Sequence, residues 1–119
     1  MEQLWRDCPP LAGGAVAELG CGYGVMLALL RDVDFRVRGC EVSSKAVACC
    51  RSEGLDVVEG KAPGIPLPKQ SFDLAIAMHV IEHVSDPNSF VQEIVELVYP
   101  GGGIVIVSDG IFIKGYSGH

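Results

Sequence analysis

The chain has 119 residues, the size of one ordinary domain. Hydrophobic residues make up 49% and charged residues 20%, which excludes a disordered chain, and no apolar run approaches the roughly 18 residues of a membrane span. A formal charge of -6 without any cluster of Lys and Arg speaks against nucleic acid as the main partner, because neutralising phosphates needs grouped cations.

Two residue periods alternate along the chain, as in a series of β-α-β units. Residues 15–19 form a short apolar run ending in glycines, which predicts a buried parallel strand. Residues 25–30 carry apolar side chains at helical spacing, and 37–42 read as a second strand. Ser43 and Ser44 are good N-caps for a helix over 45–53, which Gly54 would stop. A third strand is expected at 55–59. Three prolines between Ala62 and Pro68 exclude a helix or a central strand there. Residues 72–78 form the fourth strand. Asp86 before Pro87 predicts a capped helix whose inner face carries Phe90, Ile94, Leu97 and Val98, ended by Pro100-Gly101-Gly102-Gly103. A fifth strand spans 104–107. Asp109-Gly110 between two apolar runs then predicts a hairpin, with an antiparallel strand over 111–114. The alternative is that these last residues fray or pair with a second copy.

The order β-α-β-α-β-loop-β-α-β implies one α/β domain over residues 1–119, with a mainly parallel, doubly wound sheet and helices on both faces. Five cysteines, an odd number without a C-x-x-C pair, predict packing residues rather than disulfides or a metal site. Residues 1–10 lack a basic stretch followed by an apolar core, so a cytoplasmic location is expected.

The chemistry concentrates at Gly20-Cys21-Gly22-Tyr23-Gly24, where the first strand must turn sharply into a helix. Glycines there permit positive φ and let a ligand approach the backbone. Dinucleotide sites use G-x-G-x-x-G, but Val25 occupies the position that would complete that pattern. Glu18 would repel a pyrophosphate, whereas beside a cation it makes sense. Glu41, at the end of the second strand, suits a bidentate contact with ribose hydroxyls.

Taken in order, Glu18 to Gly24, Gly39-Cys40-Glu41-Val42-Ser43, Ser71-Phe72-Asp73-Leu74, His79-Val80-Ile81-Glu82-His83-Val84 and Tyr99 to Gly103 resemble class I S-adenosylmethionine-dependent methyltransferases, closest to the small-molecule group with an EHV-D-P segment. The resemblance covers roughly residues 15 to 108. It implies a Rossmann-like sheet in the order 3-2-1-4-5 and S-adenosyl-L-methionine as cofactor. It further implies that Glu18, Gly20 and Gly22 bind the methionine moiety, with Cys21, Tyr23 and Gly24 in the same turn. Glu41 would hold the ribose, Val42 the adenine face and Ala62 the adenine edge, and Met78 and His79 would lie beneath the methyl donor. Lys61 departs from the pattern, because many relatives have an acid there to accept the adenine amino proton.

His79 is the candidate general base, with a shape or backbone contact to the cofactor as the alternative. His83 reads as a packing or capping residue and Glu82 as a structural hydrogen-bonding group. Trp5 would cap the pocket or anchor the N-terminal segment. Three functions remain open: a small-molecule methyltransferase, a cofactor-binding domain that needs a partner for its acceptor site, and another nucleotide-binding module. A homodimer through the C-terminal sheet edge is a further expectation.

Overall fold

The computed structural model describes residues 13–109 and 111–116; Trp5, Cys8 and Gly110 lie outside them. One sheet organises the fold. Its strands are β1 (Ala15–Leu19), β2 (Arg36–Glu41), β3 (Val57–Glu59), β4 (Phe72–Met78), β5 (Val98–Ser108) and β6 (Ile111–Tyr116), in the order β3-β2-β1-β4-β5-β6. The first five are parallel, and β6 folds back antiparallel on β5, with Ser108 opposite Ile111. This is the expected mainly parallel sheet with an antiparallel last strand, the latter two residues longer than the 111–114 expected.

The helices are α1 (Val25–Asp32), α2 (Ser44–Ser52) and α3 (Pro87–Leu97), with a single 3-10 turn at Ile81–His83. Successive residues of a strand face opposite sides. On β1, Val16 therefore joins Leu30, Leu74, Ile76 and Val105 on one face. Ala15, Ala17 and Leu19 turn to the other, against Phe90, Ile94 and Leu97 of α3. Both faces are covered, as the near-continuous apolar strands require.

Each helix end has a local cause. The Ser43 hydroxyl accepts a hydrogen bond from Ala46 N at 3.2 Å, and Asp86 accepts from Ser89 N at 3.2 Å with Pro87 in the first turn. At the end of α2, Gly54 (φ 79°) donates to Arg51 O and Leu55 N donates to Cys50 O. This is a Schellman stop, and it draws Leu55 into the turn, so β3 begins at Val57 rather than at residue 55. Helix α1 ends the same way, but Asp34 (φ 73°) stands where glycine is usual. That substitution hides the stop, which is why the helix runs two residues beyond the expected 30.

The Pro-Gly-Gly-Gly segment does not end α3. Val98 is already extended (φ -97°, ψ 154°) and pairs with Phe72, and the regular ladder resumes at Gly103 opposite Leu74 after a register shift. Pro100 disfavours helix in the residue before it. The four residues thus lie within β5 as an irregular entry. Cys21, Cys40 and Cys50 are buried thiols and Cys49 is exposed, all four free. Burial is the main force pushing the Cys21 thiol up to about 12 and that of Cys40 to about 11, as befits packing residues.

Candidate functional site

The strand order reverses between β1 and β4, and a cleft opens at the carboxyl ends of β1 to β4, where such sheets take ligands. Its volume is about 450 Å³, within the roughly 300–1,000 Å³ of small-molecule sites. Of the residues expected to bind, Gly20, Glu41, Val42, Ala62, Met78 and His79 line it. Glu18, Cys21, Gly22, Tyr23 and Gly24 do not line it and stand behind or beside that wall. Cys21 is packed inward with Leu27, Val47 and Cys50, and Tyr23 is 56% exposed.

The turn after β1 explains its own composition. Gly20, Gly22 and Gly24 all have positive φ, at 69°, 57° and 85°. At Gly20 a Cβ would also collide with Val80, so glycine is required twice over there. Gly20 N donates to Cys40 O at 2.7 Å, tying the turn to the end of β2.

Glu41 is buried, and both its oxygens already accept backbone amides: Oε1 from Gly22 N at 2.9 Å and Oε2 from Ser43 N at 2.8 Å. An ionised carboxylate has about four acceptor positions, so one remains on each oxygen. The residue is therefore also a strut between the glycine turn and the start of α2.

Glu18 is the anomaly. It is only 4% exposed, and its Oε1 has no hydrogen-bond partner among the described residues. Burial, with the Glu41 charge second, pushes its carboxyl from 4.5 up to about 7. An unpartnered buried acid is costly unless something cationic or donating meets it.

At the cleft mouth His79 is held in an unusual conformation (φ 59°), its N–H donating to Val107 O at 2.6 Å. Its Nδ1 lies 3.6 Å from Asp109 Oδ1 and 3.8 Å from Glu82 Oε2. The Ser108 hydroxyl donates to the same Glu82 oxygen at 3.0 Å. Hydrogen bonding by its own backbone amide, ahead of Ser108 and the neighbouring imidazoles, holds Glu82 below the usual carboxylate value. The three ligand atoms of His79, Glu82 and Asp109 come within 4.8 Å of one another, and all three residues are exposed. His83 also lines the cleft, as do Val80, Val84, Phe90 and Lys61. His83, expected to pack or cap, is thus a lining residue, and Val80, Val84 and Phe90 are apolar positions with no glycine or charge to mark them in the sequence.

The methyltransferase-domain family profile matches residues 17–106. The chain is 36% identical over 97 residues to the "Probable S-adenosylmethionine-dependent methyltransferase" of Mycolicibacterium smegmatis, covering 80% of this chain and 38% of that protein. It is 33% identical over 109 residues to the ubiquinone biosynthesis O-methyltransferase of Thiobacillus denitrificans, covering 84% and 47%. Among solved structures it superposes with a TM-score of 0.78 and 26% identity on a complex between the Haloferax volcanii Trm112 methyltransferase activator and a methyltransferase, covering 88% of this chain and 49% of that one. The chain thus spans less than half the length of these relatives. Glycine turn, Glu41 and the cleft at the β1–β4 crevice all fall inside the matched span, and the chain belongs to the class I S-adenosylmethionine-dependent methyltransferase family.

Proposed function

We propose that this chain is the cofactor-binding domain of a methyltransferase acting on a small-molecule acceptor. The observation that carries the reading is the Glu18 carboxyl, buried beside Glu41 at the turn that borders the cleft, whose Oε1 has no hydrogen-bond partner among the described residues. The residues fit the cofactor: a buried acid without a donor suits a ligand bearing an ammonium and a sulfonium, and would reject a pyrophosphate. In this reading Glu18 pairs with the α-amino group and Glu41 offers its two free acceptor positions to the ribose hydroxyls. Val42, 60% exposed at the cleft wall, packs on the base.

When bound, the cofactor supplies an activated methyl carbon whose bond to sulfur breaks as the bond to the acceptor forms, the electron pair leaving on sulfur. The protein's part is then alignment and exclusion of water. Met78 and His79 close the floor of the cleft. With Nδ1 turned to Asp109 and Glu82, the His79 imidazole keeps Nε2 free to take a proton from an acceptor hydroxyl.

A second reading is supported by a solved relative, a methyltransferase held in complex with an activator: this domain binds the cofactor while a partner completes the acceptor wall. β6 has no strand on its outer side among the described residues, which supports pairing there with a second copy or another chain. Calorimetry with S-adenosylmethionine, S-adenosylhomocysteine and NAD tests the first statement. Binding of NAD without response to S-adenosylhomocysteine would refute it. Homocysteine-coupled turnover across an acceptor panel that includes RNA separates the two readings, and light scattering tests self-association.

A further inference from the structure

The cleft wall opposite the glycine turn is the connection between β3 and β4, in which Gly60, Lys61 and Ala62 face the cavity. This segment contains three prolines and no helix or strand, so little of its own hydrogen bonding holds it. Its near end is tied by Gly60 N donating to Glu41 O at 3.0 Å. Its middle is tied by one side chain from outside. Glu93 Oε1 accepts from Gly64 N at 2.7 Å and from Ile65 N at 3.0 Å.

Glu93 stands on α3, one turn after Phe90, which is buried and lines the same cleft, and beside Ile94, which is fully buried. The carboxylate is thus mounted on a helix that the core immobilises, and two amides on one charged oxygen make a stiff clamp. Lys61 sharpens the point. Between residues 60 and 62 the only polar side chain is an ammonium, which donates and cannot accept. An amino group presented on that side can be met only by backbone carbonyls, and their position depends on how the loop is held.

We propose that Glu93 is a positioning residue for the cofactor: through the Gly64 and Ile65 amides it fixes the loop backbone that discriminates the base. The inference rests on the S-adenosylmethionine reading above. Glu93→Ala and Glu93→Gln are compared in the full chain by three measurements. One is affinity for S-adenosylhomocysteine, the second is affinity for its inosine analogue, which carries oxygen in place of the amino group, and the third is hydrogen exchange of the Gly64 and Ile65 amides.

The Ala variant is expected to bind S-adenosylhomocysteine about tenfold more weakly, and to lose most of its preference over the inosine analogue. Gly64 and Ile65 should exchange at least about tenfold faster while β1 amides stay unchanged. The Gln variant, which keeps an acceptor oxygen, should stay within about threefold of the parent in all three. Unchanged exchange or unchanged base preference in Glu93→Ala overturns the proposal, and so does an equal loss for both ligands that Gln fails to rescue. A parent chain that binds neither ligand refutes the cofactor reading instead, and the exchange rates still decide whether Glu93 holds the loop.

Discussion

Replacing Glu18 by Gln sets stability against binding. The carboxyl ionises near 4.5 when the chain is unfolded and at about 7 in the fold, so the folded protein holds the proton more tightly. The sign follows: stability is greatest below 4.5, falls as pH rises to about 7 and levels off above it, by roughly 3 kcal/mol in all. Between pH 5 and pH 8 the parent should lose roughly 2–3 kcal/mol that the Gln variant does not lose. At pH 8 the variant should be the more stable by about 2 kcal/mol, once roughly 1 kcal/mol is deducted for the unsatisfied amide. For a domain of this size that is a midpoint roughly 6–10 °C higher. The same change should weaken S-adenosylhomocysteine binding at pH 8 by roughly 10–100-fold, the worth of a hydrogen bond to a charged group. Thermal unfolding of both proteins across this pH range, with calorimetric binding at pH 8, gives the answer. Parallel stability profiles would refute the argument, and so would undiminished binding by the stabilised variant.

Three further outcomes are expected. Binding of S-adenosylhomocysteine near pH 6 should release close to one proton per ligand, because the ligand's ammonium favours ionised Glu18. Calorimetry in buffers of different ionisation enthalpy measures it, and its absence would detach Glu18 from the ligand. Gly22→Ala should cost about 1 kcal/mol, the strain of positive φ alone, since no atom lies within 4 Å of the new Cβ. Gly20→Ala should cost at least about 2 kcal/mol more because its Cβ meets Val80; urea midpoints compare the two. Phe90→Ala should destabilise by about 3–5 kcal/mol and enlarge the cleft, seen as a lower midpoint with weaker S-adenosylhomocysteine binding.

The sequence carried the strands whose boundaries are set by burial and glycine. β1 and β4 begin and end at the expected residues, because each is a mainly apolar run, interrupted by one acid, between polar or glycine neighbours. What it concealed was conformational. Asp34 serves as a left-handed helix stop without being glycine, and Pro100 sits in an irregular strand entry rather than a helix terminus. At the site, the types at positions 18, 20 and 41 were legible from charge and glycine spacing. The dual engagement of Glu41 by two amides was not, since those amides come from Gly22 and Ser43 on separate turns. Asp73 is similar: it accepts from Ala15 N at 2.8 Å, a bond between strands that no local pattern announces.

That bond has a consequence for the order in which the molecule comes into being. β1 leads the described chain yet occupies an interior lane of the sheet, flanked by β2 and β4. Its second neighbour arrives 58 positions later, the spacing between Ala15 and Asp73. At about 5–20 residues per second, a growing chain exposes one edge of β1 for several seconds before β4 can pair with it. The crevice between these two strands is a product of that long-range closure, so the ligand cleft forms only once β4 has been made. A nascent chain stalled before residue 72 would carry the whole glycine turn and Glu41 but lack the floor laid by Met78 and His79. Cofactor present during synthesis would then act as a clamp on the finished sheet, and meet on the partial one only the glycine turn and the end of β2.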